Sequence, residues 1–391
     1  MKYKIDPSRR PLYMQIYGQL RDDIVNGIYP YNTKIPSKRL LSDECGVSTI
    51  TVEHAYDLLC DEGYIEARER SGYFVCFKPA YGFAVHASSA PSALPRTVAG
   101  AHSSDALGSG ALNYDLSNSV AASFASDSTS DITPFPFSVL AKTMRRVLSE
   151  HGERILKKAP NNGCIELRDA ISRYLSRNRG MNVDPSRIII GSGAEYLYGL
   201  IIELLGRDRT YGIEYPSYRK IEQVYSASEV RYELLPFERD GIDSRALSCS
   251  LATVLHTTPY RRFPTGVTAS ATKRHEYIRW AKECNGYIIE DDFESEFSVS
   301  SKPEDTLYSL SDDGNVIYLN TFSKTVSHSF RVGYMVLSDS LAHKFYEKLG
   351  FYSCTVPTFE QLVLAELINS GGFERHINKV RRSNRKSSLL K

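Results

Sequence analysis

The sequence predicts two domains of different class: a small, mainly helical unit closed by a β-hairpin, and a large α/β unit on a mostly parallel sheet. Three observations carry this. Apolar residues recur at helical spacing through residues 12–59 and then give way to two short aromatic-containing runs around a polar turn. From Pro79 to about Leu112 the chain is rich in Ala, Ser, Gly and Pro, with charge only at Arg96 and Asp105. After Asn113, short β-rich apolar runs alternate with helical stretches, as in parallel sheets covered on both faces.

Composition narrows the function classes. The 391 residues suffice for two or three domains at roughly 150 residues each. Hydrophobic residues make up 42% and charged residues 24%, which excludes a disordered, collagen-like or disulfide-scaffold chain. No apolar run approaches the ~20 residues of a transmembrane helix, so no membrane partner is expected. The N-terminus, Met1 to Asp6, lacks the apolar stretch of a signal peptide. Seven scattered cysteines, odd in number and without metal-like pairs, point to reduced thiols in the cytoplasm and to no metal site. Net charge is +2, so any nucleic-acid contact must come from a local surface.

In the small domain, expected over 1–78, Leu12, Ile16, Leu20 and Ile24 form the apolar face of a first helix that Gly27 and Pro30 end. Ser37 is placed to cap a second helix over Arg39-Leu40-Leu41. After the Cys45-Gly46-Val47 turn, Ser48 caps a third, whose Val52, Ala55, Tyr56 and Leu59 share a face. Gly63-Tyr64-Ile65 leads into a strand, Arg68 to Gly72 makes the turn, and Tyr73-Phe74-Val75 returns. Helix, turn, helix and hairpin form a winged helix-turn-helix, whose third helix enters the DNA major groove.

These residues resemble the GntR family of bacterial transcription regulators. The match runs through Pro11-Leu12-Tyr13, Ile35 to Leu41, Gly46-Val47-Ser48, Thr51-Val52, Ala55-Tyr56, Glu62 to Ile65 and Ser71 to Val75. The resemblance implies that Ser37, Arg39, Ser48, Thr49, Thr51 and Gly72 lie at or near phosphates or bases. Thr49 departs from the family, which usually has arginine there; threonine cannot take guanine bidentately. With 11 Lys/Arg against 11 Asp/Glu, residues 1–78 are not basic overall.

The segment 79–112 reads as a flexible linker, because it cannot bury enough apolar surface to offset its ordering entropy. Beyond it, over 113–391, candidate strands are Arg187–Ile190, Tyr211–Glu214, Leu251–Leu255, Tyr287–Glu290, Val316–Leu319 and Val332–Leu337, with helices at Ala194–Leu205 and Lys273–Cys284 between them. Ligands in such folds sit beyond the carboxyl ends of strands. Three such ends carry chemistry. Gly191-Ser192-Gly193-Ala194 opens a helix and suits an anion, although Gly-Ser-Gly is also a common turn. Glu290-Asp291-Asp292 is either a functional carboxylate set or a solvated turn. Thr321-Phe322-Ser323-Lys324-Thr325 places a lysine among hydroxyls, seven residues before Arg331.

An anion cradle, an acid and a lysine on successive strand ends are what pyridoxal 5'-phosphate needs. Here the chain resembles fold type I aminotransferases, and specifically the MocR subgroup of GntR regulators, which join a winged helix-turn-helix to an aminotransferase-like, PLP-dependent transferase domain. The matching segments include Leu167–Ile171, Arg179-Gly180, Gly191–Ala194, Glu214–Tyr218, Phe263–Thr268, Ile289–Asp292, Ser295–Phe297, Thr321–Thr325, Arg331 and Gly333-Tyr334. The resemblance implies that Lys324 holds the cofactor aldehyde and Asp291 pairs with its pyridinium nitrogen. Thr321, Ser323, Arg331, Ser192, Gly193 and Ala194 would surround the phosphate, and Tyr218 would stack on the ring.

The chain also departs from that subgroup. Phe293 replaces a tyrosine, His328-Ser329 replaces Pro-Gly, and Tyr260-Arg261-Arg262 replaces Ser-His-Gln. The final small domain of aminotransferases is expected to be missing. Residues 373–391, with seven Lys/Arg and one Glu (7 − 1, net +6), read as a helix left exposed by that truncation. The resemblance implies a homodimer that binds an operator duplex and senses pyridoxal phosphate or an amino compound, with little or no turnover. Each winged domain would lie over the partner's large domain. An active aminotransferase with an accessory domain, and a regulator that no longer binds the cofactor, are the alternatives.

Overall fold

A computed structural model describes residues 3, 5–6, 11–68, 71–78, 134–261, 265–293, 295–297 and 305–388. The linker 79–112 and the tip of the expected hairpin, residues 69 and 70, lie outside the described residues.

Helices α1 (Leu12–Val25), α2 (Lys38–Cys45) and α3 (Thr49–Asp61) precede strands β1 (Ile65–Arg68) and β2 (Gly72–Val75). Ile16, Leu20 and Ile24 of α1 meet Val52, Ala55, Tyr56 and Leu59 of α3 in one core. Both expected caps form: Ser37 accepts from Leu40 N and Ser48 from Thr51 N, each at 3.2 Å. Gly46 closes α2 at φ +66°, a left-handed turn that glycine adopts without strain. The antiparallel wing pairs Ile65 with Val75 and Ala67 with Tyr73.

The large domain runs α4 (Phe137–His151), α5 (Ile165–Arg179), β3 (Ile188–Gly191), α6 (Ala194–Leu205), β4 (Thr210–Tyr215), α7 (Arg219–Ala227), β5 (Arg231–Pro236), α8 (Ser244–Cys249), β6 (Val254–Thr257), α9 (Ala271–Glu283), β7 (Tyr287–Asp291), α10 (Leu307–Leu310), β8 (Val316–Thr321), β9 (Gly333–Val336), α11 (Asp339–Leu349), α12 (Thr358–Asn369) and α13 (Gly372–Ser388). Its sheet has the order β3-β9-β8-β7-β6-β4-β5. Only β9 runs against its neighbours, β3 and β8. Strand alternation splits the core: Ile188 and Ile190 pack with α5 and α12 on one face, and Ile189 packs with Leu197 and Ile201 of α6 on the other.

Three expectations change. The strand expected from Leu251 starts at Val254; Leu251 is 68% exposed. Strand β5 was not expected, because its half-exposed edge position leaves Arg231-Tyr232-Glu233 without a continuous apolar run. The C-terminal helix is not left bare: Phe373 and Ile377 of α13 are buried in the large-domain core, and Val380 is buried as well.

The small domain is seated on α9. Ala271 enters its core cluster. Arg274, fully buried, donates to the Glu62 carbonyl at 3.1 Å and lies 3.5 Å from its carboxylate. Tyr17 donates to Asp305 at 2.7 Å, and Arg21 pairs with the same carboxylate. These contacts are within one chain.

Candidate functional site

The three consecutive carboxylates at the end of β7 point to three different tasks, and none is solvated: Glu290, Asp291 and Asp292 are each fully buried. Glu290 accepts from Leu307 N and Tyr308 N at 2.8 and 2.9 Å, anchoring α10; burial, with Asp292 nearby, pushes its carboxyl up to about 8. Asp292 forms a buried ion pair with Arg179 at the end of α5 and accepts from Tyr318 at 2.7 Å. That pair fixes the turn that follows the strand.

Asp291 is held on one side only. Its Oδ2 accepts from the Tyr198 hydroxyl of α6 and lies 3.4 Å from His256 Nε2 of β6. His256 Nδ1 is 2.8 Å from the Tyr225 hydroxyl of α7. If Tyr225 donates to Nδ1, Nε2 carries the proton and donates to Asp291, so one tautomer satisfies both contacts. Burial and the Asp291 charge hold the Tyr198 phenol well above its usual range. The other carboxylate oxygen, Oδ1, is buried and has no hydrogen-bond partner among the described residues. An orphaned buried carboxylate oxygen is costly unless a donor from elsewhere meets it.

Strand β8 delivers Thr321, and the turn after it carries Ser323 and Lys324. Ser323 is buried and its hydroxyl donates to the Phe330 carbonyl at 3.1 Å. The half-buried Lys324 holds its ammonium 4.6 Å from the Phe293 ring centroid. Tyr218, just before α7, places its ring 6.3 Å from that of Phe293. Phe293 is therefore a neighbour of both the expected lysine and the expected stacking tyrosine. Arg262, and Phe263 and Pro264 of the matching Phe-Pro-Thr-Gly stretch, lie outside the described residues.

The expected glycine turn precedes a helix. Gly193, at φ +94°, precedes α6, with Ser192 before it and Ala194 as the first helical residue. A Cβ at Gly193 would lie 2.7 Å from the Arg331 guanidinium, so a side chain there would displace the arginine. Arg331 pairs with Glu195, whose other oxygen is 3.5 Å from Lys220 Nζ. His328 and Ser329 sit exposed on the turn leading to Arg331.

The second surface is on the small domain. Thr49, Ile50 and His54 are exposed on α3, and Thr51, half-buried, hydrogen-bonds Ser48 at 2.8 Å. Arg39 is exposed on α2, and Gly72, exposed at φ +101°, starts the return strand of the wing. Helix α3 contains no lysine or arginine. All six expected DNA-facing residues thus lie along the α2, α3 and wing surface, away from the α9 foothold.

Sequence reading singled out Asp291, Lys324 and the glycine turn but not Tyr198, His256, Tyr225, Glu195 or Lys220. Isolated tyrosines, a histidine and surface-like charges carry no spacing signal; only the adjacency of Glu195 to the Gly-Ser-Gly-Ala turn could have marked one of them.

A winged helix-turn-helix joined to an aminotransferase-type α/β domain defines a class of transcription regulators. Residues 12–75 match the family described as bacterial regulatory proteins, gntR family, and residues 125–388 match aminotransferase class I and II. Among curated relatives, the uncharacterized HTH-type transcriptional regulator YdeL of Bacillus subtilis is 31% identical over 97% of this chain and 78% of its own length. The probable rhizopine catabolism regulatory protein MocR of Rhizobium meliloti is 27% identical over 95% of this chain and 74% of its own. PdxR of Corynebacterium glutamicum, an HTH-type pyridoxine biosynthesis transcriptional regulator, is 27% identical over 94% and 75%. The solved kynurenine aminotransferase of Pyrococcus horikoshii is similar with a TM-score of 0.60 and 25% identity, covering 70% of this chain and 72% of that one. The chain belongs to the MocR subgroup of GntR-family transcription regulators, DNA-binding proteins that carry an aminotransferase class I and II domain.

Among the described residues, no helix is long and apolar enough to cross a membrane.

Proposed function

We propose that this regulator binds pyridoxal 5'-phosphate in its large domain and uses the bound cofactor, alone or with an amino compound, to set how its winged domains engage an operator duplex. The observation that carries this is the buried, unpartnered Oδ1 of Asp291, whose other oxygen is already satisfied by Tyr198. A pyridinium N–H is a donor of the kind that oxygen lacks. Lys324 would hold the cofactor covalently, Arg331 with Ser192, Gly193, Ala194, Thr321 and Ser323 would surround the phosphate, and Tyr218 would lie against the ring. The bound cofactor would supply an electrophilic carbon for amines and an electron-withdrawing ring. The chain's own part is to keep Asp291 oriented, through Tyr198 and His256. The relative that regulates pyridoxine biosynthesis supports a ligand of this chemistry.

The reading includes a cytoplasmic homodimer, because two-fold symmetry suits paired half-sites. Domain limits of 1–78, 79–112 and 113–391 belong to the same proposal.

The test is an absorption spectrum of the purified chain with pyridoxal phosphate, beside Lys324→Ala. A visible band in the wild type alone, retained on the protein after borohydride, supports the reading. No band in either sets it aside and leaves a DNA-binding protein with a cofactor-type scaffold. Operator binding with and without the cofactor then tests the coupling, and assay with amines and keto acids separates a sensor from a working transaminase.

A further inference from the structure

The least expected charge in the molecule is Glu195. It is an acid in the first turn of α6, immediately after the Gly-Ser-Gly-Ala cradle. Its side chain is 29% exposed. One carboxylate oxygen meets the Arg331 guanidinium and the other lies 3.5 Å from Lys220 Nζ. A backbone amide at the helix start adds to them. Burial alone would raise this carboxyl, but the amide, Arg331 and Lys220 together hold it below its usual range. Glu195 is therefore an anion seated among the donors of an anion cradle.

We propose that Glu195 sets the affinity of the large domain for phosphorylated ligands: its carboxylate holds the cations that a phosphate monoester needs, and the two anions compete for them. This rests on the reading that the domain takes pyridoxal phosphate. A phosphate monoester carries close to two negative charges at neutral pH and would meet a cradle whose arginine is already paired. Binding requires Glu195 to release Arg331 or to share it with a second anion. Either route weakens phosphate binding relative to a cradle with a neutral side chain at 195. The consequence is functional. A site that holds its ligand too tightly stays filled at all concentrations and reports nothing, whereas a weakened one follows the ligand through its dissociation constant. Glu195 thus makes the cradle fit a sensor better than an enzyme that keeps its cofactor.

The experiment titrates the full chain and its Glu195→Gln variant with pyridoxal phosphate and, separately, with pyridoxal, which has the aldehyde but no phosphate. The readout is the visible band and its retention after borohydride. Glu195→Gln is expected to bind pyridoxal phosphate roughly tenfold more tightly, as removal of one like charge from a partly solvated site allows. Its affinity for pyridoxal is expected to stay at the wild-type value, which also reports that the lysine pocket is intact. In an Arg331→Gln background the gain from Glu195→Gln should shrink, because the contested cation is gone. Unchanged or weaker pyridoxal phosphate binding by Glu195→Gln overturns the proposal, and the weaker result would make Glu195 a support for Arg331. An equal gain for pyridoxal also overturns it. No band with either aldehyde in the wild type overturns the underlying reading, and this proposal with it.

Discussion

Tyr198 and Asp291 are joined by a hydrogen bond that no solvent reaches, from the second turn of α6 to the last residue of β7. It crosses from the helix layer to the sheet and lands on the oxygen that also faces His256 at 3.4 Å. The carboxylate is thereby turned so that its remaining oxygen is the unpartnered one.

That geometry predicts a graded response. Tyr198→Phe removes one donor to a charged acceptor, worth about 1.5–3 kcal/mol in such bonds, and should weaken pyridoxal phosphate binding by roughly tenfold or more. Asp291→Ala should weaken it further. Absorbance titration of the two variants beside the wild type checks both.

The Arg179–Asp292 pair is buried on both sides, with side-chain exposures of 4% and 0%. Removing one partner leaves an uncompensated buried charge, so Arg179→Met should lower unfolding free energy by roughly 3–5 kcal/mol. The Arg207–Glu203 pair at the C-terminal end of α6, with Arg207 exposed, offers the contrast, and Arg207→Ala should leave the denaturation midpoint nearly unchanged. Urea unfolding of both variants decides this.

Acid should loosen the seat of the small domain. His275 of α9 meets the Tyr64 hydroxyl at 3.2 Å, and burial together with Arg274 and Arg21 pushes its imidazole down to about 4. A folded value below the unfolded ~6.5 means that protonation favours the undocked or unfolded chain. The stability contribution is complete above pH ~6.5 and is lost as pH falls toward 4, amounting to about 3 kcal/mol at its limit. Hydrogen exchange at α1 and α9 should accelerate across that window, and His275→Gln should flatten the dependence.

Recognition of DNA should divide between two kinds of residue. Arg39→Ala should weaken binding to all duplexes alike and reduce the salt slope by about one. Ile50, 64% exposed on the reading helix, offers an apolar contact suited to the thymine methyl. Duplexes selected from a random library should lose affinity when thymine is replaced by deoxyuridine, and Ile50→Ala should abolish that difference. A preference carried by guanines alone would contradict it.

Much of this architecture was legible from sequence because the signals were periodic or capped. Leu12, Ile16, Leu20 and Ile24 declare a helix by spacing, and Ser37 and Ser48 declare its successors by chemistry. Strands β3, β7 and β8 are apolar on both faces and stand out for that reason. Lys324, Asp291 and the glycine turn stood out as candidates because strand ends concentrate their chemistry in short words. The surroundings were not legible. Tyr225, His256 and Asp291 stand on three different elements, and only the sheet order places β6 beside β7. The division of labour among Glu290, Asp291 and Asp292 is equally invisible in one dimension, since alternation sends neighbours in opposite directions.

The short stretch from Asp305 to Tyr308 touches both halves of the molecule. Its first residue grips Tyr17 and Arg21 of the DNA-binding unit, and its last two amides are clamped by Glu290, one position before Asp291. Beside the α9 seat, the end of β7 and the small domain are thus joined through one four-residue segment. A displacement of Glu290 would carry the Leu307 and Tyr308 amides with it, and through them the Asp305 carboxylate that holds Tyr17 and Arg21 of α1.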